Sequence, residues 1–254
     1  MNFFRQALTL KQLTNSLQRS LPVPDTVSHL SNGVKELMMP DELLSTELGD
    51  ILIRLANFRA VMASRGPFDV IYSMPILLQL ESDLKKWAIA LPSSWRYDLH
   101  TCIPQGDFYT LYYHKYPGFS IAAVWNQYRI ARCLVNDLLL TYLDSSPGTN
   151  LALHPLALLE QSDQVKDTIQ NVCTDICASV PYFLRQMDQS NHPRPGVGAL
   201  EVMWPLFTCA SMHCIPEEQR LWAIKQLEKI GYGMGILQAL TLANLARSKS
   251  MSVK

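Results

Sequence analysis

Apolar and aromatic residues recur at Ile121, Val124, Tyr128, Ala131, Val135, Leu138 and Tyr142, a three-and-four alternation that puts them on one helical face. Phe119, Ala123, Ile130, Leu134 and Leu140 cover much of the opposite side. A helix apolar nearly all round is packed on several sides by others. Pro117-Gly118 marks its start and Ser146-Pro147-Gly148 its stop, so a buried central helix is expected over about 117–144.

The same period recurs on either side. A first helix carries Leu10, Leu13 and Leu17 and ends before Leu21-Pro22-Val23-Pro24, and residues 26–38 have room for a short one. Pro40 leads into a long helix with Leu44, Leu48, Ile51, Leu55, Phe58 and Met62 inward, closed by Gly66-Pro67. Phe68 to Tyr72 reads as briefly extended, and Pro75 opens a helix bearing Leu77, Leu80, Leu84, Trp87 and Leu91. An irregular, aromatic-rich connector then runs to the central helix. Beyond it, Leu158–Val180 is expected helical, with Pro181 ending or kinking it. Leu200–His213 follows, interrupted early by Pro205. Pro216-Glu217-Glu218 is a favourable opening for a helix to about Ile230, since proline suits its first turn and acids complement its dipole. Gly231, Gly233 and Gly235 read as a hinge before a last helix, Ile236–Ala246. No segment pairs convincingly as a sheet, so the fold class is all-α.

At 254 residues the chain is long enough to bury a substantial core. Charged residues make up 17%, below the usual quarter, which fits helices with few solvent faces. The formal net charge is zero and no basic stripe appears, which argues against direct nucleic-acid binding by this chain. No apolar run approaches the roughly 18 residues of a membrane span. The first 24 residues are basic, acid-free and amphipathic; an ordinary packed helix is the preferred reading, and a mitochondrial presequence is the alternative.

Candidate chemistry is sparse. There is no G-x-S-x-G elbow, H-E-x-x-H, Walker loop or aspartate-rich metal motif. Gly231-Tyr-Gly-Met-Gly235 follows a helix rather than a strand, so it reads as a helix junction and not as a phosphate loop. Cys173 and Cys177, with Cys209, His213 and Cys214, have the ligand types for a zinc tetrahedron if two helices meet, but each group continues an apolar face, where thiols act as small hydrophobes. No metal or cofactor is therefore expected. The aromatic connector admits two readings: a ligand pocket with Arg96, Asp98, Asp107 and His114 as its polar groups, or a structural plug of buried rings with bonded hydroxyls, the plug preferred. Asn126, Arg129, Arg132 and Asp137 are polar positions on the central helix. Buried, they need partners, Arg129 an acid from elsewhere.

Leu91-Pro-Ser-Ser-Trp-Arg-Tyr97, Tyr116-Pro-Gly-Phe119, Val124-Trp-Asn-Gln-Tyr-Arg-Ile-Ala-Arg132, Ile176-Cys-Ala-Ser-Val-Pro-Tyr-Phe183, Met203-Trp-Pro-Leu-Phe207, Trp222-Ala-Ile224, Ile230-Gly231 and Met234-Gly-Ile-Leu-Gln-Ala239 occur in this order. Together they resemble the regulatory domain of fungal Zn2Cys6 (binuclear zinc cluster) transcription factors over about residues 80–240. The resemblance implies an all-helical regulatory or interaction module, nuclear in location. The family's C-x2-C-x6-C repeat and its dimerising coiled coil are not in this sequence, so its cysteines are not carried over as those ligands.

The resulting expectation is a non-catalytic regulatory domain without its own zinc cluster, either a truncated or an orphan regulator. It acts through protein partners of transcription or a small-molecule effector, with no nucleic-acid or membrane contact of its own. Residues 1–24 form an amphipathic helix and proline linker, 25–246 a single helical domain and 247–254 a disordered tail. Trp95, Arg96, Tyr97, Tyr112, Tyr113, Trp125 and Arg129 are the candidate pocket or fold determinants. The alternative is a stand-alone helical enzyme or small-molecule-binding protein of fungal secondary metabolism. The nucleus is the expected location, with the cytoplasm and mitochondrion as alternatives.

Overall fold

The computed structural model describes residues 13, 16, 17, 19–24, 40–65, 70–104, 106–145, 155–184 and 195–251. The expected helix over 26–38, and the residues at 66–69, lie outside these. The described chain is all-α apart from one small hairpin. It comprises α1 (Pro40–Arg65), α2 (Val70–Ala90), a 3-10 turn (Ser93–Trp95), β1 (Asp98–Thr101), β2 (Tyr112–Lys115), α3 (Phe119–Ser145), α4 (Pro155–Leu184), α5 (Pro195–Ser211), α6 (Glu217–Met234) and α7 (Leu237–Met251). It divides into two compact units, Met1–Leu91 and Pro92–Lys254, a boundary that falls inside the span expected to form one domain.

In the first unit α1 packs on α2. Leu48, Leu52 and Leu55 are fully buried, as are Leu77, Leu80 and Leu84. The Trp87 indole donates to the Leu44 carbonyl at 2.8 Å, and Arg54 pairs with Asp83 at 2.6 Å. Leu13 and Leu17 are helical and buried, as their spacing predicts. Ser20 adopts a left-handed φ of 50° where that helix ends, and the following backbone is tied to α1 by the Val23 amide donating to Asn57 Oδ1 at 2.9 Å.

In the second unit α3 is the central helix, packed against α4 and α5. Val124, Tyr128, Ala131, Val135 and Tyr142 of the predicted stripe are buried. α5 also contacts α6 and α7, which pack on each other.

Four expectations give way. Val70–Tyr72 is helical rather than extended, because α2 begins before Pro75 and runs through it. α4 likewise runs through Pro181 rather than ending there, and α5 runs through Pro205. An interior proline removes one donor and crowds the preceding turn. Here buried residues on both sides, Ser73 and Leu77, Val180 and Tyr182, Met203 and Leu206, hold each helix in place. Thirdly, of the three hinge glycines only Gly235 turns the chain, with a left-handed φ of 71° capping α6, while Gly231 lies inside α6 against Leu240. Lastly, residues 247–251, assigned to a disordered tail, are the end of α7, where Arg247 reaches Glu228 at 2.6 Å and Lys249 lies over the Phe207 ring.

The entry to α5 depends on one small residue. A Cβ on Gly198 would stand 2.1 Å from the Phe183 carbonyl oxygen, whereas Gly196 has open space around it. Gly198→Ala is expected to lower stability by about 1–3 kcal/mol, and Gly196→Ala to leave it unchanged or slightly higher. Urea unfolding of both variants checks this, and equal midpoints would show that the two backbones do not approach so closely.

Candidate functional site

β1 and β2 are antiparallel, with Leu99 opposite His114, His100 opposite Tyr113 and Thr101 opposite Tyr112. Alternation along β2 sends Tyr112 and His114 to one side and Tyr113 to the other. Tyr113 meets His100 and Phe108 there, while β2 packs on α4. The loop joining the strands turns at Gly106, whose φ of 61° is left-handed. Its carbonyl accepts from Trp222 Nε1 and Gln226 Nε2 of α6, each at 3.2 Å, and Asp107 pairs with Lys229.

The inner side of the hairpin closes over Arg129 of α3. Arg129 is 1% exposed, yet among the described residues no carboxylate stands within ion-pair distance of it. Its Nη1 donates to the Tyr116 hydroxyl at 2.7 Å and to Asn126 Oδ1 at 2.9 Å, and its Nη2 lies 3.1 Å from His114 Nδ1. The rings of Tyr97, Trp125 and Tyr116 lie 5.1, 5.5 and 5.8 Å from the guanidinium carbon. Burying a cation costs several kcal/mol. Hydrogen bonds from a charged donor return about 1.5–3 kcal/mol each and desolvated ring faces about 1–2. Asn126 Oδ1 also accepts from Ser179 of α4 at 3.1 Å, and the Trp125 indole donates to the Trp95 carbonyl at 2.8 Å. The network thus joins the 3-10 turn, β2, α3 and α4.

Arg129 only donates, so His114 Nδ1 is an acceptor and the neutral ring carries its proton on Nε2. That N–H faces Asp175 Oδ1 at 3.6 Å, too long for a hydrogen bond. Burial, then the Arg129 cation, pushes the His114 imidazole down to about 2, so it is neutral at ordinary pH. Burial raises the Asp175 carboxyl against the pull of Arg129 and Arg132, and raises the Tyr97 and Tyr116 phenols. The cluster holds one fixed cation, one neutral imidazole and one acid at its rim.

Of the candidates named from sequence, Trp95, Tyr97, Tyr112, Trp125 and Arg129 are brought together here. Arg96 is exposed, and Tyr113 faces away with His100. The acid expected to pair Arg129 is replaced by Tyr116, Asn126 and His114, with Asp175 reached only through the imidazole. Asp175 carried no distinguishing signal, while Tyr116 and Ser179 stood within the Tyr116-Pro-Gly-Phe119 and Ile176–Phe183 motifs with their pairing to Arg129 and Asn126 set only by tertiary packing. The thiols of Cys173, Cys177 and Cys209 do converge, joined by Cys133 with its Sγ 3.8 Å from that of Cys173. His213 is exposed and Cys214 half-exposed, outside that cluster. Among the described residues no group of His, Cys, Asp or Glu is placed to hold a metal ion, and no helix is long and apolar enough to cross a membrane. Burial pushes the Cys173 and Cys177 thiols well up.

The described chain is thus all-α, and its second unit is built round a sealed arginine with an aromatic hairpin as its cover. It is similar, at 26% identity over 156 residues, to the transcription factor dbaG of Emericella nidulans. That alignment takes in 57% of this chain and 34% of dbaG, so the chain spans about a third of the protein it matches. No family model matches the chain, and no solved structure matches it.

Two outcomes follow from the cluster. Arg129→Met should cost on the order of 3 kcal/mol in urea unfolding by stranding its acceptors. Arg129→Lys should recover little, because an ammonium does not fork between Tyr116, Asn126 and His114; a fully stable lysine variant would contradict this. His114 is depressed in the folded state, so the unfolded chain binds the extra proton, and stability should fall as pH drops below about 6.5, by up to ~1.4 kcal/mol per unit. Asp175 contributes with the opposite sign near its own, higher range. In an Asp175→Asn background, His114→Gln should therefore flatten the acid slope of denaturation midpoints; an unchanged slope would assign it elsewhere.

Proposed function

We propose that this chain is the regulatory region of a fungal transcription regulator of the binuclear zinc cluster type, non-catalytic and acting in the nucleus. The similarity to dbaG carries this reading, and the ordered motifs from Leu91 to Ala239 support it. Chain neutrality supports regulation through contacts other than DNA. The six cysteines of these 254 residues do not have the C-x2-C-x6-C spacing, so DNA reading is assigned to another segment or a partner. The regulatory input is a protein partner of transcription or a small-molecule effector.

The site favours signalling over chemistry. Both Nη groups of Arg129 are engaged by fixed neighbours, and His114 is held neutral with its accepting nitrogen already engaged. What the arrangement does is couple four elements through one buried group.

Fusing residues 1–254 to a heterologous DNA-binding domain upstream of a reporter tests the proposal. Reporter output should change several-fold relative to the DNA-binding domain alone, and the change should be lost in an Arg129→Met fusion present at equal abundance. A wild-type fusion that accumulates in the nucleus and leaves the reporter unchanged would overturn it.

A further inference from the structure

Tyr97 is held in the manner of a bound molecule. Its ring lies 4.1 Å from His114, 5.2 Å from Tyr116 and 5.1 Å edge-on from Trp125, with the Arg129 guanidinium 5.1 Å off its face. The side chain is nevertheless only half-buried, and it stands on the short link between the 3-10 turn and β1. The groups beneath it are sealed, with His114, Asn126 and Arg129 no more than 1% exposed. Tyr97 therefore closes an aromatic box whose floor is a cation, and it reaches solvent on its outer side.

The residues beneath Tyr97 are short of acceptors. Arg129 Nε, Asn126 Nδ2 and His114 Nε2 are buried without a hydrogen-bond partner. All three are N–H donors, the last by the tautomer that Arg129 imposes. Tyr97 brings a single phenolic oxygen and leaves them unmet. A carboxylate offers two oxygens with about four lone-pair sites, and an aromatic ring attached to it would take the place of the tyrosine ring.

We propose that Tyr97 is an internal stand-in for a small aromatic carboxylate, which binds over Arg129 by displacing it. This deepens the effector half of the function proposed above and rests on that reading only for what the ligand would regulate. Asp175, 3.6 Å from His114 Nε2 and with its side chain 38% exposed, sets the rim. Its charge opposes a second anion, so the site suits a monoacid, and removing that charge should strengthen binding.

Calorimetric titration of 4-methylbenzoate into the full chain tests the site, with 4-methylbenzamide and p-cresol as uncharged controls. Saturable binding of 4-methylbenzoate to the wild type is expected. Tyr97→Ala should bind it about tenfold tighter, because the internal competitor is gone. Asp175→Asn, which leaves the box intact, should tighten binding several-fold, and the amide should bind at least about tenfold more weakly than the acid throughout. The proposal is overturned if Tyr97→Ala takes p-cresol or the amide as tightly as the acid, since that is a cavity left by a deleted ring. It is equally overturned if 4-methylbenzoate binds none of the three proteins, or binds all three alike. A negative titration leaves the reporter result standing, and a silent reporter leaves a positive titration standing.

Discussion

A guanidinium sealed from water needs partners, and the second unit is arranged to supply them to both Nη groups of Arg129. Tyr116 supplies its hydroxyl from the segment ahead of α3, Asn126 its carbonyl from one turn earlier on the same helix, and His114 its ring nitrogen from β2. Aromatic faces take the remaining surface of the cation. Because these partners come from different elements, the charge is satisfied only when the hairpin is seated on the helices.

Histidine in this setting is a neutral spacer. Its Nδ1 answers the arginine and its Nε2 proton turns towards Asp175, so it lies between a cation and an acid that are not in direct contact. The same electrostatics keep it unprotonated, since a second positive charge beside Arg129 in a buried site is strongly disfavoured. The hairpin, only four residues in each strand, is held at its far end by the Gly106 carbonyl and Asp107 on α6. It is fastened at both ends, with Tyr97 closing the box at one of them.

Elsewhere the core shows how small groups permit close contact. Gly198 lets α5 begin against the backbone of Phe183, and Gly231 lets Leu240 of α7 lie on α6. The thiols of Cys133, Cys173, Cys177 and Cys209 fill the junction of α3, α4 and α5 as small, polarisable apolar groups.

The sequence by itself determined the helices whose apolar period is long and unbroken. The stripe from Ile121 to Tyr142 defined α3, Leu48 to Phe58 defined α1, and Pro216-Glu-Glu set the start of α6, because burial of one face follows from local spacing alone. The apolar surround also marked Arg129 as one of four polar positions on α3 that need partners if buried. Only the tertiary structure decided what surrounds it. Whether Pro75, Pro181 and Pro205 break a helix depends on packing against neighbours far along the chain, and the pairing of Asp98–Thr101 with Tyr112–Lys115 depends on a loop anchored to α6. The partners of Arg129 were readable as residue types and not as a set. Hydrogen bonds between α3 and α4, or across β2, are fixed by distances in space that no period in the chain encodes.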